Sequence, residues 1–193
     1  MAALQPRRID LGDVVLRPFV VSDEAAVAVA LQDPGILRWT AGTAVISSPA
    51  DLRARRWLEP RIDSWARGNA VFAVADSDTD KVIASVTLRD VHRVPDQAVA
   101  AYWVSPVARG RRLGARVLDA AARWGFSADG LRLHRISLDH SLVNEGSCHV
   151  AVRAGFQLEG VMRDYYVEPT GQRHDSHLHA RLATDAVPQP AGS

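Results

Sequence analysis

The succession of segments from Val99 to His140 constrains the fold of this chain more than any other feature. A β-rich run, Val99 to Val104, leads through a loop of arginines and glycines into residues 111–126, whose apolar residues recur at helical spacing. A second strand-like run, Arg135 to His140, follows a helix stop signal at Gly130. A helix that joins two strands of one sheet makes them parallel through a right-handed crossover. We therefore expect one parallel junction in the sheet.

Two helices are predicted before the central sheet. The first begins at an N-cap at Ser22, carries acidic residues in its first turn and ends near Asp33. The second begins at Ser48-Pro49, ends near Gly68 and is bent or broken at Pro60. Both helices are expected to flank the sheet.

The remaining β-rich runs predict strands that pair with their sequence neighbours. We expect one short strand and two hairpins: Val14–Arg17, Val71–Ala75 with Lys81–Leu88, and Phe156–Val167 with His174–Leu182. A short helix is expected over Ser147–Ala154. This order predicts an α+β fold. Residues 1–182 are expected to form a single domain, and residues 183–193, rich in small residues and proline, a disordered tail.

Composition excludes several classes of protein. The 23 lysines and arginines are balanced by 22 acidic residues, so a surface that follows a nucleic-acid duplex is not expected. The single cysteine, Cys148, excludes a disulfide framework and is typical of a reducing compartment. The sequence has no signal-peptide core and no uncharged run long enough to cross a bilayer. These features predict a cytoplasmic protein that does not bind membranes.

The loop between Val104 and the predicted helix has the composition of an anion-binding site. A helix N-terminus offers unpaired N–H groups and partial positive charge. Gly110 and Gly114 let a ligand approach the backbone, and arginines add charge-assisted hydrogen bonds. The segment lacks the Gly-Lys-Ser/Thr ending of a Walker loop and the spacing of a dinucleotide turn. A phosphate site and a merely capped basic helix both remain open on spacing alone.

Two separated motifs make the sequence resemble a known family. Ala101-Tyr-Trp-Val-Ser-Pro-Val-Ala-Arg-Gly-Arg-Arg-Leu-Gly-Ala115 resembles the acetyl-CoA signature of the GCN5-related N-acetyltransferases (GNAT). Arg109 and Gly114 fall on its pattern, while Arg112 stands where the family usually has a middle glycine. Asn144-Glu-Gly-Ser147, with the Ala-Gly-Phe156 that follows, is similar to the branch that acetylates ribosomal-protein N-termini.

This resemblance implies a GNAT fold, with a mixed, mostly antiparallel central sheet whose parallel central strands splay apart around the pantetheine arm. Asn144 would hydrogen-bond the pantetheine arm. The residues implied in acetyl-CoA binding are Trp103, Val104, Arg109, Gly110, Arg111, Arg112, Leu113, Gly114, Ala115 and Asn144.

The resemblance also implies direct attack of an amine on the thioester, with Ser147 as general acid for the leaving thiolate and Asn144 beside it. An N-cap role for Ser147 is an equal alternative. Related sequences often carry a glutamate where this chain has Val99, so the general base is open. Three residues that act through water are candidates: Asp90, His92 and Glu24.

The segment Arg173 to His179 raises the question of a metal. On a strand His177 and His179 share one face, but His174 points the other way, so no metal is expected.

The predicted function is acetyl transfer from acetyl-CoA to a primary amine, favouring a protein N-terminus. The alternatives are a small-molecule amine such as an antibiotic, polyamine or amino acid, and a non-catalytic acyl-CoA-binding module. The C-terminal hairpin leaves a homodimer open.

Overall fold

The computed structural model describes residues 3–186, which form one mixed sheet flanked by helices. The described strands are β1 (Ile9–Asp10), β2 (Val14–Pro18), β3 (Ala70–Asp76), β4 (Val82–Arg89), β5 (Gln97–Val104), β6 (Arg135–Ser141), β7 (Gln157–Val167) and β8 (Arg173–Leu182). The described helices are α1 (Glu24–Ala30), α2 (Pro34–Thr40), α3 (Thr43–Ile46), α4 (Arg53–Ile62), α5 (Leu113–Phe126) and α6 (Glu145–Arg153). The strand order is β1-β2-β3-β4-β5-β6-β8-β7, which confirms the α+β class.

The parallel junction lies between β5 and β6, as the sequence predicted, with α5 as the crossover. The two strands pair only from Gln97 with Arg135 to Val99 with Ser137. Beyond that point β5 continues to Val104 and β6 to Ser141 without pairing to each other. The other neighbouring pairs among the described strands are antiparallel. The sheet therefore splays open at its centre.

Each face of the sheet carries its own apolar core. Successive side chains of a strand point to opposite faces, so Phe72 and Val74 pack with α5 while Val71 and Ala73 pack with the N-terminal helices. Helix α5 buries the predicted stripe that includes Leu113. Burial of each large apolar side chain contributes roughly 1.5–3 kcal/mol, so both layers hold the central strands in place.

Among the residues from position 3 onward, four α-helices rather than two precede the central hairpin. Ser22 lies in a short 3₁₀ turn and does not cap a helix. The neighbouring Asp23 is buried, accepts the N–H of Val20 at 2.9 Å and pairs with Arg17 at 2.9 Å. Asp33 caps α2 by accepting the N–H of Ile36 at 2.9 Å. Helices α2 and α3 are seven and four residues long, too short to show a clear period in the sequence.

The predicted end of the second helix is wrong. Helix α4 contains Pro60 but ends at Ile62, and turns lead from there to Gly68. At the start of the predicted tail, the N–H of Ala183 donates to the carbonyl of His134 at 2.9 Å. The rest of the predicted tail lies outside the described residues. Within residues 3–186, no helix is long and apolar enough to cross a membrane.

Candidate active site

A cleft of about 460 Å³ lies beside the C-terminal half of β5, between the following loop, the start of α5, α2 and α6. Residues lining it include nine of the ten predicted for acetyl-CoA binding: Trp103, Val104, Arg109, Gly110, Arg112, Leu113, Gly114, Ala115 and Asn144. Arg111 is exposed and does not line the cleft. The sequence motif therefore coincides with this cavity.

The loop reaches α5 through two residues in the left-handed region. Gly110 has a φ of 78°, and Arg112, the N-cap of α5, has a φ of 56°. Arg112 thus adopts the conformation that a glycine would adopt more easily at this position. The first N–H groups of α5 lack partners within the helix and lie at the cleft, because Leu113, Gly114 and Ala115 all line it. An anion is favoured at such an end.

Gly114 permits a close approach of three elements. A Cβ atom at this position would lie 3.2 Å from Cγ2 of Val150 on α6 and 3.5 Å from the Tyr102 ring on β5. Val150 would have to move by a few tenths of an ångström to admit it. The glycine that the motif places here therefore lets α5 pack closely against β5 and α6.

Arg109 is engaged with the protein itself. Its guanidinium donates to both carboxylate oxygens of Asp33, at 3.1 and 2.7 Å, and its Nε donates to the carbonyl of Val104 at 3.1 Å. This hydrogen bonding with Arg109 lowers the pKa of Asp33. The side chain of Arg109, which lines the cleft, thus fastens the loop to the start of α2, and its contact with a ligand stays a prediction.

Ser147, Asn144 and Tyr102 meet where β5 faces the start of α6. The side chain of Asn144 caps α6 by accepting the N–H of Ser147 at 3.3 Å, so the N-cap alternative for Ser147 is wrong. The Tyr102 hydroxyl donates to Oγ of Ser147 at 3.1 Å. Burial raises the pKa of Tyr102 to about 12, so this phenol stays protonated at neutral pH. Tyr102 was missed although it lies inside the motif.

A second cavity, of about 80 Å³, occupies the gap between β5 and β6. Residues that line both cavities are Trp39, Thr40, Tyr102, Asn144 and Ser147. The pair of Tyr102 and Ser147 therefore stands at the junction of two compartments, one on the motif side and one within the splayed strands. A donor and an acceptor that entered from the two sides would meet at this pair.

Asp139 is the acidic residue that lines the second cavity. It is half-buried on β6, and burial raises the pKa of its carboxyl. Sequence reasoning missed it, although a carboxylate in the middle of a short strand is a signal. Among the predicted base candidates, Asp90, His92 and Glu24 line neither cavity. Asp90 instead pairs with Arg89 at 2.7 Å, at the end of β4 that adjoins the start of β5.

At the second cavity, the C-terminal hairpin contacts α2. The Tyr166 hydroxyl donates to the carbonyl of Arg38 at 2.7 Å, and the Tyr166 ring lies 5.4 Å from that of Trp39. Glu168 is buried and accepts from Arg38 at 2.5 Å and from His174 at 2.5 Å. Glu168 does not itself line the second cavity, and Asp139 is the one carboxylate among the residues that do.

The histidines of β8 divide between the two faces of the strand, as predicted. His174 contacts Glu168, whereas His177 and His179 lie together on the opposite face beside His140 of β6. Burial lowers the pKa of both His140 and His179, so these imidazoles are neutral at neutral pH.

Comparison with known proteins finds one matching family and many solved structures with a similar fold. Residues 13–157 match the family model described as acetyltransferase (GNAT) domain. No curated protein sequence matches significantly.

Three solved structures illustrate the similarity. Ribosomal-protein-S5-alanine acetyltransferase from Vibrio fischeri is 21% identical, with a TM-score of 0.75 over 95% of this chain and 100% of that chain. Mycobacterium smegmatis RimJ, in complex with CoA-disulfide, is 26% identical, with a TM-score of 0.74 over 94% and 87%. A spermidine N-acetyltransferase chimera from Vibrio cholerae and hSSAT is 17% identical, with a TM-score of 0.72 over 90% and 97%.

Proposed function

Since the chain belongs to the acetyltransferase (GNAT) domain family and is an acetyl-CoA-dependent N-acetyltransferase, we propose that its acceptor is the α-amine of a protein N-terminus. One observation carries the proposal: Tyr102 and Ser147 stand between a large cleft beside the motif loop and a small cavity inside the splayed strands. The large cleft suits the donor and the small cavity suits the reacting end of a longer acceptor. The single cysteine supports the cytoplasm as the compartment.

The proposed donor site uses the backbone more than side chains. Unpaired N–H groups at the start of α5 and the open space beside Gly110 fit a pyrophosphate. Backbone groups of Trp103 and Val104 are proposed to pair with the pantetheine amides, and the free amide N–H groups of Asn144 to donate to the same arm. Bound acetyl-CoA supplies a thioester carbonyl as the electrophile.

Ser147 is the proposed general acid. As the amine nitrogen bonds to the carbonyl carbon and the carbon–sulfur bond breaks, the thiolate takes a proton from Oγ of Ser147, which takes the Tyr102 proton in turn, and solvent returns a proton to Tyr102. The Tyr102 hydroxyl already donates to that oxygen, which leaves the serine proton free to point into the cleft. A leaving thiolate with a pKa near that of a cysteine, about 8.5, needs only this one well-placed donor.

Asp139 is the proposed general base for the acceptor. An α-amine with a pKa of about 8 is partly neutral at physiological pH, so a modest base suffices. Burial raises the pKa of Asp139 and thereby makes its carboxylate a better proton acceptor than an exposed aspartate. The proton lost by the attacking nitrogen would pass to this carboxylate directly or through one water.

The shape and charge of the second cavity favour an α-amine over a polyamine. A volume of about 80 Å³ holds only the first atoms of an acceptor, so the rest of the molecule must extend past Trp39 and Tyr166. A polyamine carries several positive charges, yet Asp139 is the one carboxylate lining this cavity, and Glu168 outside it is already engaged by Arg38 and His174. A short, small N-terminal residue fits these limits.

The test is acceptor-dependent release of free CoA thiol from acetyl-CoA. The acceptors are peptides beginning with Ser or Ala, the same peptides with blocked α-amines, lysine peptides, spermidine and an aminoglycoside. We expect release with the free Ser and Ala peptides and none with their blocked forms. Faster release with spermidine or the aminoglycoside would replace the proposal with small-molecule acetylation. Tight acetyl-CoA binding without release by any acceptor would favour the non-catalytic module.

A further inference from the structure

Three histidines and one cysteine converge from three elements on the face of the sheet that α6 covers. His140 of β6 is paired in register with His177 of β8, and His179 lies two residues further on the same face of β8. Cys148 approaches from the first turn of α6. One nitrogen or sulfur atom of each residue lies within 4.8 Å of those of the other three. We call these four residues the histidine–cysteine cluster.

Three of the six atom pairs within the cluster are spaced nearly as in a tetrahedral ligand set. Nε2 of His140 lies 3.3 Å from Nε2 of His179. Sγ of Cys148 lies 3.9 Å from Nδ1 of His177 and 4.0 Å from Nε2 of His179. Zinc bonds of about 2.0–2.1 Å to nitrogen and about 2.3 Å to sulfur give tetrahedral edges of about 3.4 and 3.6 Å. These three pairs need to close by only a few tenths of an ångström at most.

The two buried histidines turn their Nε2 atoms toward each other. Nδ1 of His140 lies 2.9 Å from the carbonyl of Ser141, and Nδ1 of His179 lies 3.4 Å from the carbonyl of Phe156. A carbonyl only accepts, so each contact favours the tautomer with the proton on Nδ1, most strongly in His140. In that tautomer the two Nε2 lone pairs face each other at 3.3 Å, where one cation would bind both.

This hydrogen-bond pattern is typical of histidines that bind metals. Such residues almost always donate the other ring N–H to a carbonyl, carboxylate or water, which fixes the tautomer and the ring orientation. Both His140 and His179 are oriented in this way from within the core, with exposed fractions of 5% and 0%. Half-buried His177 and Cys148 complete the set on the side nearer solvent.

We propose that the histidine–cysteine cluster binds one zinc ion through His140, Cys148, His177 and His179. Four protein ligands fill a tetrahedral zinc shell, so the ion has a structural role and no open position for a substrate. Cys148 binds as the thiolate and releases its proton on binding. The ion would fasten α6 to β6 and β8 and thereby hold the adjacent Ser147 in place. The expectation of no metal considered only the β8 histidines, because His140 and Cys148 are distant in sequence.

The test measures metal binding directly on the untagged full-length protein. We expect a single zinc ion per chain after dialysis. Replacement by cobalt(II) should give the visible bands of a tetrahedral site and a thiolate-to-cobalt charge-transfer band. Cys148→Ser should remove the charge-transfer band, and His177→Ala should weaken cobalt binding by more than about tenfold. The control His134→Ala changes an exposed histidine just before β6 and should leave both spectra unchanged.

Thermal unfolding adds a readout that does not depend on spectra. A strong chelator should lower the Tm of the parent protein and of His134→Ala but leave that of Cys148→Ser almost unchanged, because the ion stabilises only the folded state. The proposal is overturned if the parent protein neither retains zinc nor binds cobalt in tetrahedral form. It is equally overturned if Cys148→Ser and His177→Ala bind the metal as tightly as the parent.

Discussion

The hydroxyl oxygen of Tyr102 lies 3.1 Å from Oγ of Ser147 and joins β5 to α6 at the junction of the two cavities. Because burial raises the pKa of Tyr102 to about 12, the phenol remains a donor over the whole physiological range. The serine proton is then free for a ligand atom in the cleft. The pair therefore has the arrangement of a two-hydroxyl proton relay, with Ser147 as its reactive end.

Ser147→Ala should lower kcat by about 10²-fold while the Kd for acetyl-CoA stays within about twofold, because the lost proton matters only as the thiolate leaves. Tyr102→Phe should reduce kcat by a smaller factor. The double variant should be no slower than Ser147→Ala, since the two residues act in series. Ser127→Ala, at the far end of α5, is the matched control. Steady-state kinetics and calorimetry decide; unchanged kcat in Ser147→Ala would contradict the assignment.

Asp139→Asn should lower kcat at neutral pH and flatten the acidic limb of the pH profile. Burial raises the pKa of Asp139, so the parent enzyme should lose its base as the pH falls through that raised value. Asp90→Asn, which changes a carboxylate that lines neither cavity, should keep the parent profile. If the acidic limb of the pH profile is unaltered in Asp139→Asn, a residue other than Asp139 is the base.

The same substitution should stabilise the folded protein at neutral pH. A carboxyl with a raised pKa in the folded state favours folding below its unfolded pKa, and this contribution disappears as the pH rises through the folded value. At pH 7 the parent therefore bears the cost of a partly buried charge that Asp139→Asn lacks. Thermal unfolding should show a higher Tm for the variant at pH 7 and a smaller difference at acidic pH. A lower Tm at pH 7 would show that the carboxylate is net stabilising.

Features that depend on neighbours in sequence were predicted, and features that depend on neighbours in space were missed. The β5–α5–β6 crossover follows from local spacing and was predicted correctly, while the motif loop and Asn144, which the family resemblance singled out, line one cleft. Asp139 reaches the site only because β5 and β6 separate beyond Val99, which no local pattern reports. The cap predicted at Ser22 is wrong for a similar reason. The buried ion pair between Arg17 and Asp23 fixes the backbone at this turn, and a contact of that kind is not visible in a local pattern.

The contact between Arg109 and Asp33 gives a prediction that separates two roles for the arginine. If Arg109 holds the loop in shape, Asp33→Asn should weaken acetyl-CoA binding about as much as Arg109→Ala does, by several-fold for a partly exposed pair. Asparagine can still cap α2, so the helix start is preserved. If Arg109 instead binds phosphate directly, removal of the Asp33 charge should tighten binding. Calorimetric titration with acetyl-CoA distinguishes the two roles, because the affinity of Asp33→Asn for acetyl-CoA falls in the first case and rises in the second.

Arg112→Gly should stabilise the protein without loss of acetyl-CoA affinity. Arg112 has a φ of 56°, in a region that costs a non-glycine residue about 1–2 kcal/mol, and glycine would remove this cost. Glycine also makes the unfolded chain more flexible, which lowers the free energy of unfolding by roughly 0.5–1 kcal/mol. The net gain should be about 0.5–1 kcal/mol in chemical denaturation.

Arg111→Gly is the matched control for this substitution. Arg111 precedes Arg112 in the same exposed loop but does not have a positive φ, so glycine there brings only the entropic loss and should destabilise the protein. Equal effects of the two substitutions would mean that backbone strain at Arg112 does not matter. A large loss of acetyl-CoA affinity confined to Arg112→Gly would instead show that the guanidinium binds the ligand, and that the arginine at this motif position is retained for charge despite its unfavourable backbone conformation.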